Sequence, residues 1–424
     1  MERFALSRMK EWKENENRKP LIIRGARQVG KTWIMKTFGQ QYFEKTAYVN
    51  FDNNARMKQV FEGDLDIERL VLAISAETGV SIEAENTLII FDEVQEVPKA
   101  LTSLKYFYEN APQYAIVAAE SLLGVALHQG TSFPVGKVDF LDLYPLNFRE
   151  FLCAMGEKQF VSMLDSCDTQ MVTVFKTKYI ERLREYYFVG GMPEVVKDFS
   201  EKKDYNRVRA IQKNLINYYQ QDFSKHAEIK LVPRLNLVWN SIPMQLAKEN
   251  KKYIYGQVRE GSRAKDFELA IQWLLDCGLI HKVQRIQKPD LPLKAYIDFD
   301  SFKLFLVDIG LLIAMTDLDA KVIIEGNKIF TEFKGALTEQ YILQQLISDV
   351  GVIPYYYSTQ NSKGEIDFLV QGKTSVIPIE VKAEENLKAK SLKAFCEKYQ
   401  PSYAVRTSMS DYRAVSYTHL RAHE

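Results

Sequence analysis

The sequence predicts an α/β protein whose N-terminal part is a parallel sheet covered by helices on both faces. Three observations predict it. Short apolar strands alternate with helical patterns up to about residue 160, as in doubly covered parallel sheets. A glycine-bracketed loop stands between the first strand and the helix after it. A later strand, Thr87-Leu88-Ile89-Ile90-Phe91-Asp92-Glu93, is apolar without a break and ends on two carboxylates, as a strand buried on both faces should. The strand candidates are 21–24, 47–51, 88–91, 115–119 and 138–141. Ligands of such sheets bind at the carboxyl ends of the strands, where both motifs fall.

The loop reads Arg24-Gly25-Ala26-Arg27-Gln28-Val29-Gly30-Lys31-Thr32, a complete G-x-x-x-x-G-K-[ST] pattern in the strand–loop–helix context it needs. Its glycines let backbone N–H groups turn inward onto phosphate oxygens, and the helix N-terminus adds partial positive charge. Gly25, Ala26, Arg27, Gln28, Val29, Gly30, Lys31 and Thr32 are therefore the expected ATP-binding residues of a P-loop nucleoside-triphosphatase fold. Lys31 is expected to reach the β- and γ-phosphates, and Thr32 with Asp92 to hold Mg²⁺. Glu93 is placed to orient or deprotonate the attacking water.

Composition narrows the class. The 424 residues suit two to three domains. The 56 basic and 55 acidic residues nearly cancel, so no global charge commits the chain to nucleic acid or an anionic membrane. The four cysteines, Cys153, Cys167, Cys277 and Cys396, form no C-x-x-C pair, which argues against a zinc site and suits a reducing cytoplasm. The most apolar stretch, 302–315, is 14 residues long and is broken by Lys303 and Asp308, too short and polar to span a bilayer. A cytoplasmic protein is expected.

Residues 161–325 read as predominantly helical, with a winged helix at about 226–288. Residues 242–247 open a short helix, 253–258 form a link, and Ser262 caps a longer helix. In that helix Phe267, Ala270, Ile271, Leu274 and Leu275 form one buried stripe, Gly278 ends it, and 279–286 make the wing strand. The segment 226–265 carries eight Lys or Arg against three Glu, a candidate DNA contact. A packing module is the equal alternative.

Residues 326–415 carry a second constellation. A turn at 362–364 leads into a strand holding Glu365 and Asp367, and a second strand ends Glu380-Val381-Lys382. Alternation puts Glu380 and Lys382 on one face. If the strands pair, Asp367 neighbours Glu380 and the two can hold Mg²⁺ or Mn²⁺, with Lys382 positioning water for phosphodiester attack. Glu339, on an expected helix over 335–346, completes the order Glu, Asp, Glu-x-Lys of a restriction-endonuclease-like domain. Solvated charges at strand ends are the plainer reading.

The chain as a whole resembles a bacterial and archaeal family of AAA-type ATPases with an uncharacterised, restriction-endonuclease-like C-terminal region. The residues that carry the resemblance are 24–32, 90–95, 121–127, 133–151, Val189-Gly190-Gly191-Met192-Pro193-Glu194, 271–279, 302–312 and 364–382. The resemblance implies nucleotide binding, a sensor role for Ser121, and no particular substrate. Two departures stand out. Where relatives carry Gly before that Ser, this chain has Glu120, which either crowds the γ-phosphate or turns to solvent. Residues 416–424 leave the family pattern and read as a non-native tail, so His419 and His423 are not counted as metal ligands.

The leading expectation is a Mg²⁺-dependent ATPase coupling nucleotide state to movement of its C-terminal domains on nucleic acid. An ATP-gated protein-binding switch with little hydrolysis and an ATP-controlled nuclease are the alternatives. Lys137 and Arg149 are the candidates for an arginine-finger role, which a second subunit of a homo-oligomer could also fill.

Overall fold

The computed structural model describes residues 2–121, 134–248, 251–325, 331–359, 364–383 and 390–414, with only the backbone of Ser121, Thr331 and Glu332. The tail 416–424 and most of the segment 121–127 lie outside the described residues.

The first part runs α1 (Ala5–Glu14), β1 (Leu21–Gly25), α2 (Lys31–Tyr42), β2 (Lys45–Asn50), α3 (Ala55–Glu62), α4 (Ile67–Thr78), β3 (Thr87–Asp92), α5 (Pro98–Asn110), β4 (Ala115–Ser121) and β5 (Asp139–Asp142). The strands form one five-stranded sheet in the order β2-β3-β4-β1-β5, and every pairing is parallel. This is the expected P-loop sheet, with strand ends shifted by a residue or two. Every residue of β3 is buried. Its side chains alternate between two cores: Leu88 and Ile90 join the larger one, while Ile89 and Phe91 face the other. On that second face Phe51, Phe61 and Phe91 meet edge to face at centroid distances of 5.3 to 5.6 Å.

A helical layer follows: α6 (Phe148–Ala154), α7 (Lys158–Asp165), α8 (Thr169–Val174), α9 (Lys176–Val189), α10 (Pro193–Lys202) and α11 (Tyr205–His226). Next come α12 (Val232–Leu246), α13 (Tyr255–Val258) and α14 (Ala264–Asp276), then the antiparallel hairpin β6 (Ile280–Ile286) and β7 (Ile297–Leu306). Two local expectations are corrected here. Residues 242–247 do not open a helix; they close α12, which carries Pro243 inside it. An interior proline costs about 3 kcal/mol. The buried stripe Leu235, Val238, Trp239, Ile242 and Leu246 outweighs it. Nor does Ser262 cap α14: the N-cap is Arg263, whose N–H donates to Asp266 at 2.8 Å. The expected stripe of α14 is buried at Phe267, Ala270, Ile271 and Leu274.

After α15 (Ile309–Met315) and α16 (Ala320–Ile324) come α17 (Thr331–Ser348), β8 (Tyr355–Ser358), β9 (Glu365–Gln371), β10 (Val376–Val381), α18 (Lys390–Tyr399) and β11 (Val405–Thr407). These strands form one six-stranded mixed sheet with the hairpin, ordered β11-β10-β9-β8-β6-β7. The boundary expected at 325/326 thus runs between strands of a single sheet. The larger core extends without a break from Met9 under the first sheet, through the helical layer, to Val381 in β10. Among the described residues no helix is long and apolar enough to cross a membrane.

Candidate functional site

β1 delivers Gly25 to the carboxyl edge of the first sheet, and the chain turns through Gln28 (φ +66°) and Gly30 (φ +95°) into α2. Both lie in the left-handed region, where Gly30 avoids the Cβ penalty. Lys31 is buried, and its Nζ donates to the carbonyls of Gly25 at 3.0 Å and Ala26 at 2.9 Å. Burial pushes the amine down to about 8, with Glu93 and Asp92 partly offsetting it.

Thr32 Oγ1 donates to Asp92 Oδ2 at 2.7 Å, and the Tyr48 hydroxyl donates to the same oxygen at 2.8 Å. Glu93 follows in a left-handed conformation (φ +52°), a strained backbone for a non-glycine residue. Its N–H donates to Asp92 Oδ1 at 3.1 Å, while the Gln95 amide donates to its carboxylate. Lys31, Thr32, Asp92 and Glu93 thus lie together at the carboxyl edge of the sheet. The Ser121 backbone pairs with Gly25 across β1 and β4; its side chain lies outside the described residues.

Glu120 does not turn to solvent. It is 2% exposed, one of its oxygens has no partner among the described residues, and burial pushes its carboxyl up to about 7 against Arg24 and Lys31. Arg24, its neighbour in register, is held in a two-point ion pair by Asp142 at 2.9 and 3.1 Å.

Sequence reasoning missed the residues that grip the loop. Arg3 Nη1 donates to the Val29 carbonyl at 3.1 Å, and Arg3 is itself anchored on Glu150 at 3.1 Å. From α11, the Tyr219 hydroxyl donates to the Arg27 carbonyl at 2.9 Å, and Asp222 ion-pairs with the Arg27 guanidinium. A buried node joins the regions further. Asp308 accepts from the Gly191 N–H at 2.6 Å and from the Gln344 amide at 3.2 Å. The Gly191 carbonyl in turn accepts from the Leu146 N–H at 2.7 Å, and a Cβ on Gly191 would lie 2.1 Å from the Leu146 carbonyl oxygen. The two finger candidates are both engaged within the chain. Lys137 pairs with Glu109 at 2.9 Å, and Arg149 with Asp165 and with Asp349.

The second sheet brings Glu339, Asp367, Glu380 and Lys382 together. β9 and β10 pair antiparallel up to Phe368–Ile379, the Val381 N–H donates to Asp367 Oδ2 at 2.7 Å, and Lys382 Nζ lies 2.6 Å from Glu380. Glu339, on α17, abuts Asp367. Three further residues belong to the cluster and were not anticipated there. Lys303 of β7 is fully buried, 2.5 Å from Glu365 and 3.5 Å from Glu339. Lys251 ion-pairs with the other oxygen of Glu339. Burial and the neighbouring Glu339 push the Asp367 carboxyl well up, whereas Lys251 and Lys303 overcome burial to hold Glu339 low, at about 2. Among the described residues, no group of three His, Cys, Asp or Glu is disposed to hold a metal ion. As arranged, ammonium groups stand where a divalent ion would have to bind, so the cluster does not fit a metal.

Residues 17–152 match the family model described as an AAA domain. Residues 180–322 match a domain of unknown function (DUF8612), and residues 334–422 another (DUF4143). No curated protein matches the sequence. Among solved structures, the chain is similar to the Walker-type ATPase PABY2304 of Pyrococcus abyssi, with TM-score 0.45 and 14% identity over 74% of this chain and 95% of that one. It is also similar to the RuvB Holliday junction branch migration motor of Thermotoga maritima, with TM-score 0.31 and 11% identity over 65% and 87%. Cdc6p of Pyrobaculum aerophilum gives TM-score 0.27 and 8% identity over 76% and 93%. The phosphate loop, the paired carboxylates at the end of β3 and the family match over 17–152 make the N-terminal third of the chain an AAA-type P-loop ATPase domain.

Proposed function

We propose that the protein is a Mg²⁺-dependent ATPase that couples nucleotide state to movement of its C-terminal regions, acting on nucleic acid. The observation that carries the coupling is the grip of α11 on the phosphate loop, through Tyr219 on the Arg27 carbonyl and Asp222 on the Arg27 side chain. Bound phosphate competes with the Gly25 and Ala26 carbonyls for Lys31, and its charge draws on the Arg27 guanidinium that Asp222 now holds. The second change is felt directly by α11 through Asp222. Ordering of loops around a γ-phosphate is a known switching route.

Thr32 and Asp92, already converging at 2.7 Å, would hold the Mg²⁺, which would neutralise phosphate charge. Glu93, steadied by Gln95, orients the attacking water, and Ser121 is assigned the sensor role. Since Lys137 and Arg149 are both paired internally, the finger is assigned to a second copy of the chain in a homo-oligomer. The exposed Lys230, Arg234, Arg259, Arg263 and Lys265 of the three-helix-and-hairpin unit support DNA as partner.

The test is ATP hydrolysis by the purified chain with and without DNA, beside Lys31→Ala. Turnover that rises with DNA and vanishes in the variant supports the proposal. Tight nucleotide binding without turnover favours an ATP-gated binding switch instead. A nuclease reading of the second site is favoured by one observation, the meeting of Glu339, Asp367, Glu380 and Lys382. Loss of DNA cleavage in Asp367→Ala would test it.

A further inference from the structure

Two donors from outside the first sheet hold carbonyls of the phosphate loop. Arg3, in the segment before α1, gives one N–H to the Val29 carbonyl at 3.1 Å. Its other nitrogens reach the Glu150 carboxylate at 3.1 Å and the Tyr144 carbonyl at 2.6 Å. Glu150 is buried and also accepts from the Phe4 N–H at 2.7 Å, so the guanidinium is anchored behind the loop. From α11 the Tyr219 hydroxyl donates to the Arg27 carbonyl at 2.9 Å. Its ring is buried edge to face against Trp239.

The effect of these two bonds follows from the geometry of the peptide. A trans peptide is planar, and its carbonyl and N–H point in opposite directions. A donor that holds the Val29 carbonyl therefore sets the direction of the Gly30 N–H. One that holds the Arg27 carbonyl sets that of the Gln28 N–H. Gln28 and Gly30 are the loop residues with positive φ, +66° and +95°. Left-handed residues within a turn let neighbouring N–H groups face one concavity, which takes an anion. Gln28 carries a side chain there, and that backbone is costly unless something holds it. Among the described residues no protein oxygen accepts from either N–H. Both donors are thus aimed, and neither is used within the protein.

We propose that Arg3 and Tyr219 are positioning residues of the nucleotide site: by holding the Val29 and Arg27 carbonyls on the outside of the loop, they aim the Gly30 and Gln28 N–H groups at the phosphate oxygens. Arg3 suits the task because its planar fork serves three acceptors at once, which a lysine cannot do. The assignment rests on the loop's binding of nucleotide. It goes further by making two residues outside the family-matched stretch 17–152 part of the site.

The experiment follows the two amides in the full chain. Arg27-Gln28 is the one Arg-Gln step in the sequence, and Val29-Gly30 is one of four Val-Gly steps. Carbonyl-labelled arginine or valine, combined with ¹⁵N-labelled glutamine or glycine, isolates these peptides by NMR. ADP with Mg²⁺ is titrated into wild type, Arg3→Lys, Tyr219→Phe and Lys31→Ala, with affinity read by calorimetry. In wild type both amide protons are expected to move downfield as they meet phosphate. Arg3→Lys keeps a positive charge beside Glu150; it should lose the shift at Gly30 and bind ADP about tenfold more weakly. Tyr219→Phe should lose the shift at Gln28, with affinity down about fivefold. Because it keeps the ring and removes a single oxygen, that arm stands even if Arg3→Lys does not fold. A purely structural role would lower the melting temperature and leave the amide shifts as in wild type. A wild-type shift at Gly30 in Arg3→Lys overturns the role of Arg3, and one at Gln28 in Tyr219→Phe overturns that of Tyr219. Binding that requires Lys31 but moves neither amide in wild type defeats the assignment alone. No ADP binding by wild type defeats the nucleotide reading with it.

Discussion

The phosphate loop and the C-terminal carboxylate cluster each bury a lysine, and the two lysines are perturbed in opposite directions. Among the described residues Lys31 donates to the Gly25 and Ala26 carbonyls, and burial pushes its amine down to about 8. Lys303 is surrounded by Glu339, Glu365 and Asp367, which overcome burial and raise it. A charge held by neutral acceptors in a buried loop is poised for an anion that arrives from outside. A charge held by ionised partners has its anions already. The first region is thus arranged to receive an anion, whereas the second already holds its own counter-ions.

Variants at the two sites can break this contrast. Lys31→Ala should lower nucleotide affinity or turnover by about 10³-fold, because it removes a preorganised charge from the phosphates. Its unfolding free energy should change little, since relief of a buried charge offsets the two hydrogen bonds lost to the Gly25 and Ala26 carbonyls. Calorimetric nucleotide titration and denaturant unfolding read the two quantities. Glu339→Gln should do the reverse. It leaves Lys251 and Lys303 facing a neutral amide and should cost about 3 kcal/mol in unfolding free energy, with nucleotide affinity unchanged. Equal stability losses in both variants would erase the distinction.

Glu120 sharpens the picture from the side of pH. Its carboxyl is raised from an ordinary 4.5 to about 7, so the folded chain keeps a proton that the unfolded chain has lost. Its stabilising contribution is therefore complete below about pH 4.5 and disappears as pH rises to 7. Glu120→Gln should flatten that slope and stabilise the protein at pH 8, by up to about 3 kcal/mol on the linkage relation. Urea melts from pH 5 to pH 8 measure it; a slope identical to wild type would remove Glu120 as its source. The smallest effect is expected from Tyr219→Phe, which deletes one hydrogen bond to the loop and should cost about 1 kcal/mol. If that loss appears in nucleotide-dependent behaviour of α11 as well as in stability, the grip is functional.

How much could be read beforehand follows from the range of the interactions. The phosphate loop was legible because its residues are contiguous and its backbone shape depends on local steps such as Gly30 at φ +95°. Asp92 and Glu93 were legible because an unbroken apolar strand announces where it ends. At the second site the Asp367–Glu380 neighbourhood followed from alternation and one hairpin pairing. Glu365 was within reach of the same alternation, two residues from Asp367 on the same face, yet its partner was not. Lys303 and Asp308 were noticed only as charges that interrupt an apolar stretch. Their roles as buried hubs depend on Glu339 and Gln344 of a distant helix meeting them in space. Likewise nothing in the local sequence of α11 ties Tyr219 to Arg27, 192 positions earlier.

The contact between α11 and the phosphate loop is the hinge of the proposed coupling, and amide hydrogen exchange on adding ATP and Mg²⁺ tests it most directly. Wild type is expected to change its exchange in the loop and also along α11, with neither change in Lys31→Ala. A change confined to β1, the loop and α2, with α11 exchanging at its nucleotide-free rate, would contradict the coupling.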